Sequence, residues 1–157
     1  MTEKNLTHLL ATTKPRREQV AGTLLPRKPK ILTLDIETSP NVAYTWGLWD
    51  QNISLSQIIS STRILSFAAK WHGSNKVMFF SEHHNGRAEM IRAAWDLLDE
   101  ADILVTYNGK SFDNKHLQRE FFLMGLTPPS PWKDVDLLLA VRSQFKFPSN
   151  KLDYVSQ

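Results

Sequence analysis

Lys30-Ile-Leu-Thr-Leu-Asp-Ile-Glu37 is the stretch on which the fold turns. Leu32, Leu34 and Ile36 alternate with Thr33, Asp35 and Glu37. A period of two places the first set on one side of a strand and the second on the other. One face is thus apolar and fit for a core, and the opposite face ends in two acids. Thr38-Ser39-Pro40-Asn41 then breaks the strand. Carboxylates two residues apart on a strand project from the same face and repel each other, so they call for a cation between them or a raised pKa. At the carboxyl end of a strand they form a hard-oxygen donor pair suited to Mg²⁺. The same pair also arises by chance on a solvated strand face, and the dipeptide pattern alone does not decide between the two.

After this break, Tyr44-Thr-Trp-Gly-Leu-Trp49 and the run Ile53 to Ile59 read as a hairpin-like insertion. Arg63 to Trp71 and Lys76 to Phe80 flank Gly73-Ser74-Asn75, the pattern of a β-hairpin. Arg87 to Glu100 is helical, with Met90, Ile91, Ala94, Trp95 and Leu98 on one apolar face. Asp102 to Tyr107 is a short apolar strand. Asn114 to Met124 is a second helix, with Leu117, Phe121 and Met124 inward and Gly125 at its stop. Pro128, Pro129 and Pro131 make a stiff connector. Asp136 to Phe145 reads as a third helix. Ser149 reads as the N-cap of a fourth, of which Leu152 to Gln157 is the first turn. Three strands followed by helix, strand, helix and helix predict an α/β fold with a mixed sheet covered by helices.

The 157 residues amount to one domain, and 41% hydrophobic with 22% charged residues is ordinary for a soluble protein with a real core. The absence of cysteine excludes disulfides, thiolate metal sites and thiol catalysis. No apolar run reaches the length of a membrane span, and no secretory signal is visible, so the expected setting is the cytoplasm. The net charge of +3 hides an asymmetry. Residues 1–30 hold seven Lys/Arg against two Asp/Glu, whereas residues 31–157 hold twelve against fourteen. Residues 1–29 read as a basic flexible leader, with one short helix near Leu6–Ala11. It is either a solvated tail or an arm that tracks a phosphate backbone. Residues 30–157 form the folded body.

The second chemical cluster is Tyr107-Asn-Gly-Lys-Ser-Phe-Asp113, where an apolar strand runs into a tight Asn108-Gly109 turn and then into an acid at a helix start. Read alone, it is a turn followed by an N-cap. Together, Asp35-Ile-Glu-Thr38 and this cluster about 70 residues later resemble the first two motifs of the DEDD 3′–5′ exonucleases. Those enzymes have a ribonuclease H-like fold. They include the proofreading domains of family-B DNA polymerases and stand-alone nucleases, many of them phage-encoded. The resemblance covers residues 30–157. It implies two Mg²⁺ or Mn²⁺ ions, with Asp35 bridging both, Glu37 holding the ion that activates water, and Asp113 holding the other. It implies that Asn108 supports the scissile nucleotide or the Glu37 side, that Phe112 packs near the last bases, and that Thr38 and the backbone at Ile36 touch the 3′ nucleotide. Lys110 is either a phosphate contact or a solvated turn residue. Asp136 matches an acid near the family's site and reads as a helix cap rather than a ligand. Trp46 and Trp49 are candidates for stacking on bases. The implied partner is a DNA 3′ end, single-stranded or frayed, with the bacterial host cytoplasm as the setting if the chain is phage-encoded.

The family's third motif is a Tyr or His followed four or five residues later by a final Asp, and this sequence does not contain it. Tyr154 is followed only by Val155-Ser156-Gln157. The expectation is therefore weak activity or none from this chain as it stands. Three explanations stay open: a fragment, one half of a split nuclease completed by a polypeptide that supplies the missing helix, or a degenerate copy. The rival readings are a non-catalytic nucleic-acid-binding module and a ribonuclease H-like endonuclease. His72, His83 and His84 lack convincing ligand spacing.

Overall fold

The structure, a computed structural model, describes residues 27–157. The expected leader and its short helix lie outside the described residues, apart from Arg27 to Pro29.

The chain is built on a five-stranded mixed sheet. Its strands are β1 (Ile31–Thr38), β4 (Ile64–Trp71), β5 (Val77–Ser81), β6 (Ile103–Thr106) and β7 (Lys133–Asp136), and their order across the sheet is β5-β4-β1-β6-β7. β1 pairs antiparallel with β4, and β4 antiparallel with β5, while β6 runs parallel to β1 and β7 parallel to β6. Two short strands, β2 (Val42–Ala43) and β3 (Ile58–Ser60), form a separate two-stranded ribbon. The helices are α1 (Glu82–Asn85), α2 (Arg87–Glu100), α3 (Asp113–Leu123), α4 (Leu137–Gln144) and α5 (Leu152–Val155). This is the mixed α/β architecture expected from the pattern.

The alternation in β1 decides which side is covered. Leu32, Leu34 and Ile36 are buried, and Thr33, Asp35 and Glu37 are exposed. The buried side joins Ile64, Phe67 and Ala69 of β4, Leu104 of β6, Met90, Ile91, Ala94 and Leu98 of α2, and Leu117 and Phe121 of α3. Full burial of a Leu, Ile, Phe or Met stabilises by about 1.5–3 kcal/mol. The helices are therefore held by this face far more than by intrinsic propensity. Trp95, expected in the core, is only partly buried; it packs against the core while its indole N–H donates to the Thr127 carbonyl at 2.6 Å.

Three local differences from the sequence reading have physical causes. β7 is absent from that reading, because Lys133-Asp-Val-Asp136 carries too little apolar pattern to read as a strand; an edge position beside β6 demands little more. α4 consequently begins one residue later than expected, with Asp136 as its N-cap. The cap of α5 is Lys151 rather than Ser149, whose hydroxyl instead accepts the Lys151 N–H at 3.2 Å.

The start of the sheet is pinned by Asp102. Its carboxylate accepts both ends of the Arg27 guanidinium at 2.7 and 2.8 Å and the Lys30 N–H at 2.7 Å, tying the entry of β1 to that of β6. At the other end the two strands part. The last β1–β6 pair is Thr33 with Val105, so the remainder of β1 has a neighbouring strand only on the β4 side.

Candidate functional site

Where β6 stops, an acid takes over from the missing strand. Asp113 opens α3 and is 2% exposed. Its Oδ1 accepts the Ile36 N–H at 3.1 Å, a backbone donor that the sheet leaves unpaired on this side. The interaction draws Asp113 against the end of β1, where Asp35 and Glu37 stand on the exposed face.

Charge repulsion links the three carboxylates through Asp35. Burial pushes Asp113 up to about 6; the N–H groups of Ile36 and of Asp113 itself oppose this, while the negative charges of Asp35 and Asp136 add to it. Asp35 is also raised, first by partial desolvation and then by the Glu37 charge. A run of mutual repulsion therefore extends from Glu37 through Asp35 and Asp113 to Asp136.

Asp136 holds the loop that completes the site. Its Oδ1 accepts the Asn108 N–H at 2.9 Å and the Leu138 N–H at 3.0 Å, and its Oδ2 accepts the Lys110 N–H at 3.2 Å. One buried side chain thus caps α4 and ties down both residues that flank Gly109. The turn itself is tight: Asn108 sits at a φ of 69°, and its carbonyl accepts the N–H groups of Ser111 and Phe112. Left-handed backbone is tolerated better by Asn than by most residues. Gly109 lies against the buried Thr106, where an added Cβ would meet Thr106 Oγ1 at 2.2 Å and its Cβ at 2.4 Å.

Around this centre, Phe112 is 39% exposed at the rim, edge-to-face with His116 at a centroid distance of 4.6 Å. Thr38 follows the irregularity in the β1–β4 register that separates it from Glu37. Lys110 is exposed. Trp46 and Trp49 lie on the arm between β2 and β3 rather than among the acids' hydrogen-bonding neighbours. His83 and His84 stack edge-on with each other and take no part. Sequence reasoning missed Glu120, which is fully buried two turns along α3 from Asp113 and joined to Arg87 at 2.5 Å and Arg119 at 2.9 Å. It also missed Asn114, whose Nδ2 donates to Asp134 at 2.8 Å. A glutamate in a helix offers no sequence signal that it will be buried; only the facing arginines reveal it.

Among the described residues, no three His, Cys, Asp or Glu side chains converge closely enough to form a closed metal cage. The donor chemistry nevertheless fits a hard divalent cation: only carboxylates are present, and two of them are raised in part by neighbouring negative charge, which a bound cation would relieve.

The family model for the RNase H superfamily matches residues 32–157. Among solved structures, the chain is similar to a family B DNA polymerase from the hyperthermophilic archaeon Pyrobaculum calidifontis. The TM-score is 0.55 and the identity 16%, over 85% of this chain and 19% of that one. At that identity the likeness is one of fold, and this chain spans about a fifth of the polymerase's length. No curated protein matches the sequence. With a sheet of this order, an acid at the end of its central strand, and a family match over nearly all of the described residues, the chain belongs to the RNase H superfamily.

Proposed function

We propose that this chain is a metal-dependent nuclease domain that hydrolyses phosphodiester bonds at the 3′ end of DNA. The observation that carries the reading is the seating of buried Asp113 on the Ile36 N–H, which brings a third carboxylate to the end of the strand that bears Asp35 and Glu37. Membership of the RNase H superfamily supports a nuclease-type activity. The neighbour of like fold is a DNA polymerase, which supports DNA, and the resemblance of the two motifs to the DEDD exonucleases supports the 3′ end.

In this reading, Asp35, Glu37 and Asp113 would hold two Mg²⁺ or Mn²⁺ ions, which when bound would supply a more acidic water and charge neutralisation at the phosphate and the departing 3′ oxygen. The chain's own residues bind and orient the DNA end. Asn108, whose N–H is held by Asp136, supports the scissile nucleotide, and the partly exposed Phe112 packs against the last base. Thr38 and the backbone at Ile36 border the 3′ nucleotide, and Lys110 lies within the same loop to meet phosphate. The terminal base has to leave its stack to enter, which favours a single-stranded or frayed end.

Mn²⁺ binding by calorimetry on the wild type and on Asp35→Ala, with digestion of 3′-labelled single-stranded DNA alongside, tests the reading. It expects heat with the wild type, none with the variant, and at most slow loss of label from linear strands while internally labelled circular strands stay intact. Cutting of circles would instead favour an endonuclease. The lack of a closed cage among the described residues gives weight to one second reading, a nucleic-acid-binding module without hydrolysis. DNA binding with neither Mn²⁺ heat nor digestion would select it.

A further inference from the structure

The arm that carries β2 and β3 gathers several of the most exposed large hydrophobic side chains among the described residues. Between Ser39 and Thr62 it contains a single charged residue, Asp50. Its large side chains are uncovered: Trp46 is 93% exposed, Trp49 83% and Tyr44 70%. A two-stranded ribbon with bare aromatic rings is marginal alone in water. This one is braced. The Tyr44 N–H donates to the Gln57 carbonyl at 2.9 Å, and Gln57 Nε2 donates back to the Tyr44 carbonyl at 2.8 Å.

The root of the arm is clamped to the site by two routes. Ser39, two residues after Glu37, donates its N–H to the Arg63 carbonyl at 2.9 Å and accepts the Arg63 N–H on its hydroxyl at 3.0 Å. Its carbonyl accepts the Thr62 hydroxyl at 2.6 Å. From the other side, Arg119 of α3, the helix that begins with Asp113, donates to the Thr62 carbonyl at 2.6 Å. The root of the arm is thus tied to both elements that bear the acids.

We infer that the arm is a stacking platform for the unpaired bases next to the 3′ end, with Trp46 and Trp49 as its rings. The inference rests on the nuclease reading of the acid site and adds that its substrate is a single strand several nucleotides long. Uncharged rings suit such a surface. Every base has a face to stack, so sequence is not read, and no carboxylate on the arm other than Asp50 repels the phosphates. Leu48 and Leu55 are also bare, so an apolar protein surface is the competing occupant.

A pair of double variants separates these. Trp46 and Trp49 are changed together to Phe in one protein and to Leu in another; Leu keeps apolar bulk and loses the aromatic face. Binding of fluorescein-labelled dT20 is measured by anisotropy in an Asp35→Ala background, so that cutting does not intervene. The expected result is near-native affinity with Phe and affinity weaker by on the order of tenfold for each lost stack with Leu. In the otherwise native protein, the Leu pair should raise KM for dT20. Equal dT20 affinity in the Leu and Trp proteins overturns the inference. So does a loss of self-association on sedimentation with DNA binding intact, which would mark the arm as a contact between copies. If the wild type hydrolyses 3′-labelled DNA and the Leu pair changes nothing, the nuclease reading stands and the platform falls. If Trp-dependent dT20 binding is found without hydrolysis, the platform stands and the nuclease reading falls.

Discussion

Replacing Asp113 by Asn should make the metal-free protein more stable at neutral pH. The carboxyl of Asp113 moves from 3.8 to about 6 on folding, chiefly by burial. At 1.36 kcal/mol for each unit of pKa, ionising it in the folded chain costs about 3 kcal/mol more than in the unfolded chain. Because the folded pKa is the higher one, this cost is absent below 3.8, grows as pH rises through the interval to about 6, and is constant above it. Asn keeps a carbonyl oxygen for the Ile36 N–H and carries no charge towards Asp35 or Asp136. Its amide needs a partner of its own, so the expected gain at pH 7.5 is about 1–3 kcal/mol. Urea unfolding in EDTA measures it, at pH 7.5 and again at pH 4, where the gain should shrink towards zero. Added Mn²⁺ should then raise the wild-type midpoint and leave that of Asp113→Asn where it was. A variant that is no more stable at pH 7.5, or equally more stable at both pH values, would refute the electrostatic account of the site.

Other outcomes follow from neighbouring residues. Glu120→Gln should cost about 2–4 kcal/mol in urea unfolding, less than the full loss of a buried pair because Arg87 and Arg119 are partly exposed and can turn to water. Glu120 is held below its ordinary 4.5 by Arg87 and Arg119, against the opposing effect of its burial, so its contribution is complete above that pH and lost as pH falls through the lower folded value; the variant should unfold less steeply in acid. Gly109→Ala has no room beside Thr106 and should cost about 1–3 kcal/mol or more, with digestion of 3′-labelled DNA falling further than stability as the Asn108 turn shifts. Asp136→Ala orphans three backbone N–H groups and should lower the thermal midpoint and weaken DNA binding, while Asp136→Asn, which still accepts through one oxygen, should recover part of both.

The sheet is legible in the sequence wherever one face is buried and the other wet. β1 announces itself because Leu32, Leu34 and Ile36 alternate with polar residues, and α2 because its buried residues recur at helical spacing. β7 does not, because an edge strand of four residues with two acids needs no apolar face to pair with β6. Asp35, Glu37 and Asp113 can be named because their neighbours in the chain form recognisable runs. That Asp113 meets β1 through the Ile36 N–H cannot be read, since it depends on β6 ending before β1 does. The place of Asp136 in the loop is half visible: its position before a helix suggests a cap, and nothing local suggests that it also binds Asn108 and Lys110. Glu120 is invisible, because its arginine partners come from positions 87 and 119 and only the packing of α2 against α3 brings Arg87 near.

The contact between Asp113 and Ile36 joins residues 77 apart in the chain, whereas Glu37 and Ser66 pair across less than half that separation. Closing the longer loop is entropically dearer and comes to nothing until β6 has found its place beside β1. The antiparallel strands β1, β4 and β5 can assemble early, with Asp35 and Glu37 already on their surface but without a third acid. The carboxylate cluster is therefore among the last features to form as the chain folds. If the acids hold a divalent ion as proposed, a nascent or half-unfolded molecule would carry an acidic strand with little hold on it, and uptake of the ion would report that the parallel half of the sheet has closed.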